Sequence, residues 1–279
     1  MSGPPEVAVT MRKSENLPRK SEPLDEDQIP IDILLLTVED CEFIGCLSFL
    51  NPCFRRFYGG DDLGCVYVGD TGEDQMKLKI AVMKCHRGSI TSGGSSVSAM
   101  DAVEVLRPKA VFSVGFCGGL DLTKVKPGDV VISDKLITYS PSKFTRDGIK
   151  ETDVKVPLKS RLSRLILNAR DGWNAPLKNP KEQKEVKVYC GPFLSGPEVI
   201  EDSKQCIALR SRFPEALAVE MEGEGKSMTF FSISVSGLDD SEGLNEQLEL
   251  LITVLHAVYL ISPYRSCYLI KVCFTIGFA

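Results

Sequence analysis

The stretch Ala110-Val111-Phe112-Ser113-Val114-Gly115-Phe116-Cys117-Gly118-Gly119 begins as an apolar run and ends among glycines. Its first part, residues 110–115, has the length and composition of a buried strand. Glycines after a strand let backbone N–H and C=O groups approach a ligand closely, so we expect the strand to break into a loop at Gly115. Ligands of open α/β sheets bind beyond the carboxyl ends of the strands. The stretch therefore predicts a central strand that leads into a ligand site.

Strand and helix patterns alternate on both sides of this stretch. Upstream, the sequence predicts strands over 31–37, 65–69 and 77–84, helices over 39–50 and 96–106, and a Gly/Ser-rich loop over 88–94. Downstream, it predicts strands over 130–134 and 186–191, helices over 158–170 and 203–213, and a short apolar run over 216–219. Such alternation is typical of a layered α/β domain with a largely parallel or mixed central sheet.

The two ends of the chain differ from this middle part. Residues 1–29 carry four prolines, many charges and almost no apolar periodicity, so we expect a disordered leader. Residues 30–225 are expected to form the α/β domain, and residues 226–279 a divergent segment that completes the domain or packs on it. Within that segment, the mostly apolar run 248–261 is shorter than the roughly 20 residues that cross a bilayer.

Composition narrows the class of ligand. The net charge of −5 comes from interspersed acids and bases, which indicates neither a nucleic-acid surface nor a membrane surface. The ten cysteines include no Cys-x-x-Cys pair and are accompanied by only two histidines, so no zinc site is expected. We expect reduced thiols, a cytoplasmic protein, a small-molecule ligand, and neither a metal nor a cofactor.

The run Ala218-Val219-Glu220-Met221-Glu222-Gly223 places carboxylates just past a short apolar segment. One carboxylate that faces two vicinal hydroxyls accepts short, directional hydrogen bonds from both. This arrangement suits a ribose. The alternative is that the acidic residues only mark the solvated end of a strand or helix.

Taken together, these features resemble the purine nucleoside phosphorylase and methylthioadenosine/S-adenosylhomocysteine nucleosidase superfamily. Four motifs over about residues 31–225 carry the resemblance, namely Val114–Gly119, Lys126–Asp134, Ser195-Gly196 and Glu220-Met221-Glu222. The resemblance implies a three-layer α/β/α sandwich with a mixed central sheet. It also implies a homo-oligomer that cleaves the N-glycosidic bond of a purine nucleoside or thio-nucleoside.

The resemblance also assigns roles to individual residues. Glu222 would bind the ribose 2′ and 3′ hydroxyls, with Met221 packed beneath the sugar. The base and ribose would be bordered or lined by Phe116, Cys117, Gly118, Val199 and Ile200. Glu42 matches the family's acidic position near the first strand, where it would orient an attacking water as general base. The alternative for Glu42 is a solvated glutamate in the first turn of a helix, where acids are favoured in any case.

Whether the reaction uses water or phosphate depends on the anion contacts. The arginine and serine that phosphorylases of this kind present to phosphate correspond here to Ser113 and Phe116. Arg87, Gly94 and Ser95 remain as candidates to cradle an anion through charge and backbone N–H groups, although a lone arginine on a loop is usually only solvated. Hydrolysis is therefore favoured, and a phosphate-dependent purine or uridine phosphorylase is the alternative.

From Lys226 the chain departs from the family pattern. The family continues with a helix and a strand that ends in a Ser-Asp pair, whose aspartate assists the departing purine. Here a strand is predicted over 230–236 without that pair, and Asp239, or Asp240, is the candidate catalytic acid. Because leaving-group acid catalysis contributes on the order of two to four decades in rate, a nucleoside-binding or sensing module with impaired catalysis is a further alternative.

Overall fold

The computed structural model of the protein describes Ala8 and most of the first 157 residues, together with parts of the remainder. The described ranges are 10–57, 65–71, 77–87, 95–126, 129–139, 142–145, 148–151, 154–157, 178–179, 181, 187–196, 200, 202–220 and 269–275.

The described residues form three α-helices and thirteen strands. The helices are α1 (Asp40–Leu47), α2 (Ser95–Leu106) and α3 (Ser203–Arg212). The strands are β1 (Ser21–Pro23), β2 (Ile33–Thr37), β3 (Cys53–Phe57), β4 (Cys65–Thr71), β5 (Leu78–Lys84), β6 (Ala110–Gly119), β7 (Val130–Thr138), β8 (Ser142–Thr145), β9 (Gly148–Glu151), β10 (Val154–Pro157), β11 (Val188–Ser195), β12 (Ala218–Glu220) and β13 (Leu269–Thr275).

Eleven of these strands form one mixed sheet in the order β1-β3-β4-β5-β2-β6-β12-β11-β7-β10, with β13 paired to both β6 and β7. The neighbours β5, β2 and β6 are parallel, as are β12, β11 and β7, whereas β6 and β12 are antiparallel. Strands β8 and β9 form a separate antiparallel pair. The mixed central sheet predicted from the sequence is therefore confirmed.

Strand β13 closes part of the sheet into a ring. It pairs antiparallel with β6 from Leu269–Cys117 to Thr275–Val111, and parallel with β7 from Ile270–Val130 to Val272–Ile132. The strands β6, β12, β11, β7 and β13 thus follow one another around a closed circuit, as in a small β-barrel. We call these five strands the ring.

The two faces of the ring carry different apolar clusters. Helix α3 covers one face, where Leu209 and Phe213 pack with Leu194 and Ile137. The opposite face must therefore point into the ring. There a second cluster is buried, which we call the ring core; it comprises Cys117, Val125, Val131, Phe193 and Ala218.

The other half of the sheet is covered on both faces. All five residues of β2 are buried, which is typical of a strand enclosed between layers. Leu34 and Leu36 of β2 pack in a cluster with Ala102 and Leu106 of α2, while α1 contacts β2 and β5. Each layer buries one apolar face of a helix against the sheet, as the predicted periodicity requires.

Most predicted helices and strands within the described ranges are present. The predicted helices over 39–50, 96–106 and 203–213 correspond to α1, α2 and α3, and the predicted strands correspond to β2, β4, β5, β7 and β11 with shifted ends. The predicted helix over 158–170, the predicted strand over 230–236, the apolar run over 248–261 and the predicted loop over 88–94 lie outside the described residues.

The prediction of a disordered leader is wrong for residues 10–29. Arg12 donates through Nε to the Leu47 carbonyl at 2.9 Å and through Nη2 to the Leu50 carbonyl at 2.6 Å, at the carboxyl end of α1. Strand β1 pairs with β3, and Leu24 is buried in the cluster with α2. The contacts that these residues make with distant parts of the chain thus compensate for the conformational entropy that is lost on ordering. The composition of residues 1–29 alone does not reveal those contacts.

The predicted break of β6 at Gly115 is also wrong, because β6 continues to Gly119. Phe116 and Cys117 pair with β13, and Gly118 and Gly119 pair with β12. The glycines therefore belong to a paired strand, whose partners come from parts of the chain far away in sequence.

Asp121 links the segment after β6 to helix α3. This carboxylate accepts hydrogen bonds from the Thr123 hydroxyl at 2.6 Å and the Thr123 N–H at 3.1 Å, and lies 2.7 Å from Nη2 of Arg210 on α3. The Thr123 hydroxyl hydrogen bond, assisted by the Arg210 charge, lowers the pKa of Asp121. Asp121 is therefore a structural carboxylate that stays ionised.

None of the helices in the described part of the chain combines the length and the apolar character that would be needed to span a bilayer.

Candidate functional site

The pairing of β12 with β6 brings the glycine-rich end of β6 to the Glu-Met-Glu motif. Ala218 lies opposite Gly119, and Val219 lies opposite Gly118. Continuing this antiparallel register by one residue places Glu220 beside Cys117. Met221 and Glu222 follow directly and lie outside the described residues. Glu220, the first residue of the motif, therefore lies beside the glycine-rich end of β6, which is about 100 residues away in the sequence.

The carboxyl end of β11 lies next to this junction. Ser195 pairs with Glu220, and the Gly196 N–H donates to the Glu220 carbonyl at 3.2 Å. Of the two residues predicted to line the base pocket, Val199 lies outside the described residues. Ile200 is half-buried and packs against the cluster beneath α3, so its side chain also supports the fold there.

Residues 116–118 alternate between the two faces of β6. Phe116 is half-buried, whereas Cys117 is buried in the ring core beside Phe193 and Ala218. The Cys117 side chain thus points into the ring. A Cβ added at Gly118 would meet Cγ1 of Val219 at 3.2 Å, so β6 and β12 are in close contact here.

Glu42 is buried, with 4% of its surface exposed, so the alternative of a solvated first-turn glutamate is wrong. One carboxylate oxygen, Oε2, accepts hydrogen bonds from the N–H groups of Val38 at 2.9 Å and Glu39 at 2.8 Å. The other oxygen, Oε1, accepts from the Phe116 N–H at 2.9 Å. Glu39 completes a capping box at the start of α1, a common way to satisfy the first N–H groups of a helix.

Gly115 leaves just enough space for the Glu42 carboxylate. A Cβ at this position would overlap Oε1 of Glu42 and would lie 2.8 Å from its Cδ. Such distances are below van der Waals contact, and a packed carboxylate cannot move aside without breaking its hydrogen bonds. The glycine is therefore required by close approach of a side chain, whatever role a ligand has.

The thiols close to Glu42 are not candidate nucleophiles. Burial, followed by the charge of Glu42, raises the pKa of both Cys41 and Cys46. Both groups remain protonated thiols, and only the thiolate is strongly nucleophilic.

The three candidate anion contacts are not seen to converge on a site. Arg87 is exposed and its Nε lies 2.8 Å from Oε1 of Glu39, so its charge already faces a carboxylate. Gly94 lies outside the described residues, and of Ser95 only the backbone, at the start of α2, is described. Ser113, which stands where phosphorylases carry an arginine, is buried within β6.

A row of buried polar residues crosses the ring at the carboxyl ends of three parallel strands. Thr138 of β7 pairs with Ser195 of β11, which pairs with Glu220 of β12. In-register residues of adjacent strands share one face of a sheet, and Phe193 and Ala218 of the ring core precede Ser195 and Glu220 by two residues. The row therefore lies on the inner face of the ring, above the ring core.

Sequence reasoning identified Ser195-Gly196 as a motif but gave Ser195 no role. Its Oγ is completely buried and has no hydrogen-bond partner among the described residues. The available signal was a hydroxyl at the end of an otherwise apolar strand, although the in-register partners of that strand could not be known.

Ser195→Ala is expected to raise the free energy of unfolding of the ligand-free protein, by up to about 1–3 kcal/mol, because a buried unpaired hydroxyl costs that much. Thermal unfolding followed by calorimetry measures the change. Ser133→Ala is the matched control: the Ser133 hydroxyl is buried but donates to the Lys135 carbonyl at 3.2 Å, so this variant should lose stability. A loss of stability in Ser195→Ala as large as in Ser133→Ala would contradict the expectation.

Asp239 lies outside the described residues. Asp134 is the described acid with a buried, unpaired oxygen, Oδ1, and burial raises its pKa. It sits where the register of β7 and β11 shifts, four residues before Thr138. At about 3.3 Å per residue, this is roughly 13 Å from the polar row, so Asp134 is not a substitute for Asp239.

Within the described ranges, no group of three or more His, Cys, Asp or Glu side chains could hold a metal ion.

Comparison with known proteins identifies the family. A sequence profile of the phosphorylase superfamily matches residues 75–224. The chain is 31% identical over 216 residues to a death domain-containing ATP nucleosidase of Amphimedon queenslandica, covering 70% of this chain and 39% of that protein. It is 24% identical over 159 residues to a 5′-methylthioadenosine/S-adenosylhomocysteine nucleosidase of Maridesulfovibrio salexigens, covering 57% of this chain and 64% of that protein. The chain thus spans less than two thirds of either relative.

Solved structures share the fold at low sequence identity. The 5′-methylthioadenosine/S-adenosylhomocysteine nucleosidase of Neisseria meningitidis, in complex with methylthio-immucillin-A, superposes with a TM-score of 0.58 at 17% identity, covering 82% of this chain and 96% of that one. The futalosine hydrolase of Helicobacter pylori gives a TM-score of 0.58 at 17% identity, covering 84% and 96%. These likenesses confirm the predicted nucleoside phosphorylase-like α/β fold. With the profile matching more than half of its residues, the chain belongs to the phosphorylase superfamily.

Proposed function

We propose that the protein cleaves the N-glycosidic bond of a purine nucleoside or thio-nucleoside, and that water is the acceptor. The observation that supports the proposal is the pairing of Val219 with Gly118, which sets Glu220, the first residue of the Glu-Met-Glu motif, beside the glycine-rich end of β6. The names of the relatives, an ATP nucleosidase and a methylthioadenosine/S-adenosylhomocysteine nucleosidase, support the same reaction class and suggest adenine-containing substrates.

The ribose half of the site is assigned to the motif after β12. Glu222 accepts hydrogen bonds from the 2′ and 3′ hydroxyls, and Met221 packs beneath the sugar. As the bond between C1′ and the base nitrogen breaks, positive charge develops on the ribosyl ring. Preorganised carboxylates stabilise such an oxocarbenium-like state in a site that is shielded from bulk water and admits the attacking water molecule.

The base half of the site is assigned to β6 and to the segment after β11. Phe116, the Cys117 backbone and Gly118 border the base and ribose, and Val199 and Ile200 line the base pocket. An apolar pocket with a few convergent polar groups is the common form of a small-molecule site.

Two observations favour water over phosphate as the acceptor. Ser113 lacks the charge of the arginine, and Phe116 lacks the hydroxyl of the serine, that phosphorylases of this kind present to phosphate, and Ser113 is buried. Arg87 faces Glu39 at 2.8 Å, so the remaining candidate cation is already opposite a carboxylate. A phosphate contact by Arg87, Gly94 and Ser95 would require Arg87 to leave that partner.

The fate of the leaving base depends on the segment after residue 226. We assign the proton donor to Asp239 as the acid nearest to the end of the predicted strand. The absence of a Ser-Asp pair in 226–279 favours a second candidate function, a nucleoside-binding module with little turnover.

We further propose a cytoplasmic, homo-oligomeric protein. Support for the compartment comes from the eight described cysteines, all of which are free thiols, as is typical of reducing compartments. Support for assembly comes from the family resemblance, and light scattering of the purified chain tests it.

Incubation with ATP, adenosine, inosine and methylthioadenosine, each with and without phosphate, tests the function. We expect free base from at least one substrate, detected by chromatography, at a rate that does not depend on phosphate. Phosphate-dependent release with formation of a sugar 1-phosphate would identify a phosphorylase instead. If no base is released, calorimetric titration with the same compounds separates the binding module, which binds at least one of them, from a protein with no nucleoside site.

A further inference from the structure

The segment 10–23, which we call the strap, contacts the carboxyl end of α1 through Arg12. The Arg12 N–H donates to Oγ of Ser48 at 2.9 Å. Its side chain donates from Nε to the Leu47 carbonyl at 2.9 Å and from Nη2 to the Leu50 carbonyl at 2.6 Å. The last carbonyls of a helix have no partner within the helix, and the helix dipole favours a cation beside them. Arg12 thus caps α1 from a separate part of the chain.

A second contact joins the strap to α1 through Tyr67 of β4. The Tyr67 hydroxyl donates to the Pro18 carbonyl at 3.4 Å. The Tyr67 ring packs edge-on against the ring of Phe43 on α1, with the ring centroids 5.3 Å apart, which is a favourable arrangement of two aromatic rings. The strap is therefore connected to α1 at two places, and Phe43 directly follows Glu42.

Glu42 lies near the opposite end of this helix from the Arg12 contact. Its carboxylate accepts the N–H groups of Val38 and Glu39 before the helix and of Phe116 on β6. The resemblance to the family assigns the attacking water to this carboxylate. Helix α1 has eight residues and is about 12 Å long at about 1.5 Å per residue. Because so short a helix moves as one body, a displacement at its carboxyl end also displaces Glu42.

The strap is also held against β3, at the edge of the sheet. Oε2 of Glu22 lies 2.7 Å from Nη1 of Arg56, a buried residue of β3. Nη1 of Arg55 donates to the Arg19 carbonyl at 3.1 Å. Neither contact involves a residue of α1. The strap thus has a fixed position of its own, from which Arg12 can hold the helix.

We infer that Arg12 is a positioning residue, which acts through α1 to keep the Glu42 carboxylate in place, and that the strap belongs to the catalytic unit of the protein. The inference rests on the proposed function, in which water is the acceptor, and on the assignment of that water to Glu42. A misplacement of about 1 Å at a reacting centre can cost on the order of 100-fold in rate. A contact at the far end of α1 therefore affects the reaction without touching the substrate.

Arg12→Ala removes both side-chain hydrogen bonds to the helix end. We expect kcat to fall about tenfold or more, with KM within about twofold of the wild type, because the base and ribose contacts are assigned to other parts of the chain. Arg12→Lys should recover part of kcat, since an ammonium group can reach one of the two carbonyls but lacks the planar fork of a guanidinium. Steady-state kinetics measures both constants.

Amide hydrogen exchange gives a readout that does not depend on turnover. The N–H groups of Val38, Glu39 and Phe116 all donate to the Glu42 carboxylate, so their exchange rates report whether the carboxylate stays in place. In Arg12→Ala we expect exchange at these three amides to be faster by about tenfold, since local opening sets the rate. Mass spectrometry of peptides that contain them measures the change.

Arg55→Ala is the matched control. Arg55 likewise joins the strap to the rest of the fold by a guanidinium that donates to a carbonyl, but its partner Arg19 lies on the strap. This variant should lower Tm to a similar extent as Arg12→Ala, while kcat and the exchange of the three amides stay as in the wild type. The comparison separates an effect on Glu42 from a general loss of stability.

The outcomes distinguish the inference from the proposed function. A fall in kcat with faster exchange in Arg12→Ala, and neither change in Arg55→Ala, supports the inference. If the wild type is active and kcat is unchanged in Arg12→Ala, or falls equally in both variants, the inference is overturned and the proposed function stands. If the wild type releases no base, the proposed function fails and the exchange decides. Faster exchange in Arg12→Ala than in Arg55→Ala then supports the positioning of Glu42, and equal exchange overturns it.

Discussion

Glu222→Ala is expected to lower kcat/KM for the preferred nucleoside by about 100-fold to 10,000-fold. Hydrogen bonds to a charged acceptor contribute about 1.5–3 kcal/mol each, and Glu222 is assigned two of them, to the 2′ and 3′ hydroxyls. Each 1.4 kcal/mol corresponds to a factor of ten. Steady-state kinetics measures the change, and calorimetric titration measures the corresponding loss of binding.

Glu215→Ala is the matched control for this variant. Glu215 is exposed and lies three residues before β12, so its removal should leave kcat/KM within about twofold. A 2′-deoxynucleoside gives an independent check, because it lacks one of the two hydroxyls assigned to Glu222. Replacing the nucleoside by its 2′-deoxy analogue should therefore lower kcat/KM less in Glu222→Ala than in the wild type. If Glu222→Ala cleaves the full nucleoside as well as Glu215→Ala does, the ribose assignment is wrong.

The local parts of the fold were predictable because their signals are local. Short apolar runs such as 31–37 and 130–134 bury both faces of a strand, and the apolar spacing in 96–106 matches a helix. These elements need no information about their partners. Their alternation was sufficient to predict the mixed α/β sheet.

The non-local parts were not predictable from pattern alone. Glycines after Val114 normally end a strand, yet β6 runs on to Gly119 because β12 and β13 pair with it. Strand β13 comes from a segment that the sequence marks as divergent, about 150 residues from its partner in β6. Pairing over such separations is decided by tertiary packing, which strand propensity reflects only weakly.

The candidate site likewise combines features that the sequence could predict with features that depend on the tertiary structure. Resemblance assigns Phe116, Gly118 and the Glu-Met-Glu motif to one ligand. The register of β12 brings Val219, which precedes the motif, opposite Gly118, and the position of the ligand stays a prediction. The inward orientation of Cys117 depends on which side of β6 faces the ring, and a one-residue change of register would reverse it. The burial of Glu42 depends on the packing of α1 against the turn after β2 and against β6. Both features required the three-dimensional structure.

A separate prediction concerns the contribution of Phe193, a residue of the ring core, to the stability of the fold. This side chain is completely buried and packs with Cys117, Val131 and Ala218. Phe193→Ala is expected to lower the free energy of unfolding by about 3–5 kcal/mol, since it combines lost burial with a cavity. Against a typical total of about 5–15 kcal/mol, this corresponds to a drop in Tm on the order of 10 °C. Denaturant titration and calorimetry measure both quantities.

The effect should extend from stability to ligand binding, because Phe193 lies two residues before Ser195 and directly beneath the polar row. Phe193→Leu, which retains most of the buried volume, should recover a large part of both losses. Phe57→Ala on β3 is the matched control: 38% of Phe57 is exposed, so its removal should cost about 1 kcal/mol or less. If Phe193→Ala costs no more than Phe57→Ala, Phe193 is not enclosed by the five strands, and the closure of the sheet by residues 269–275 would be refuted with it.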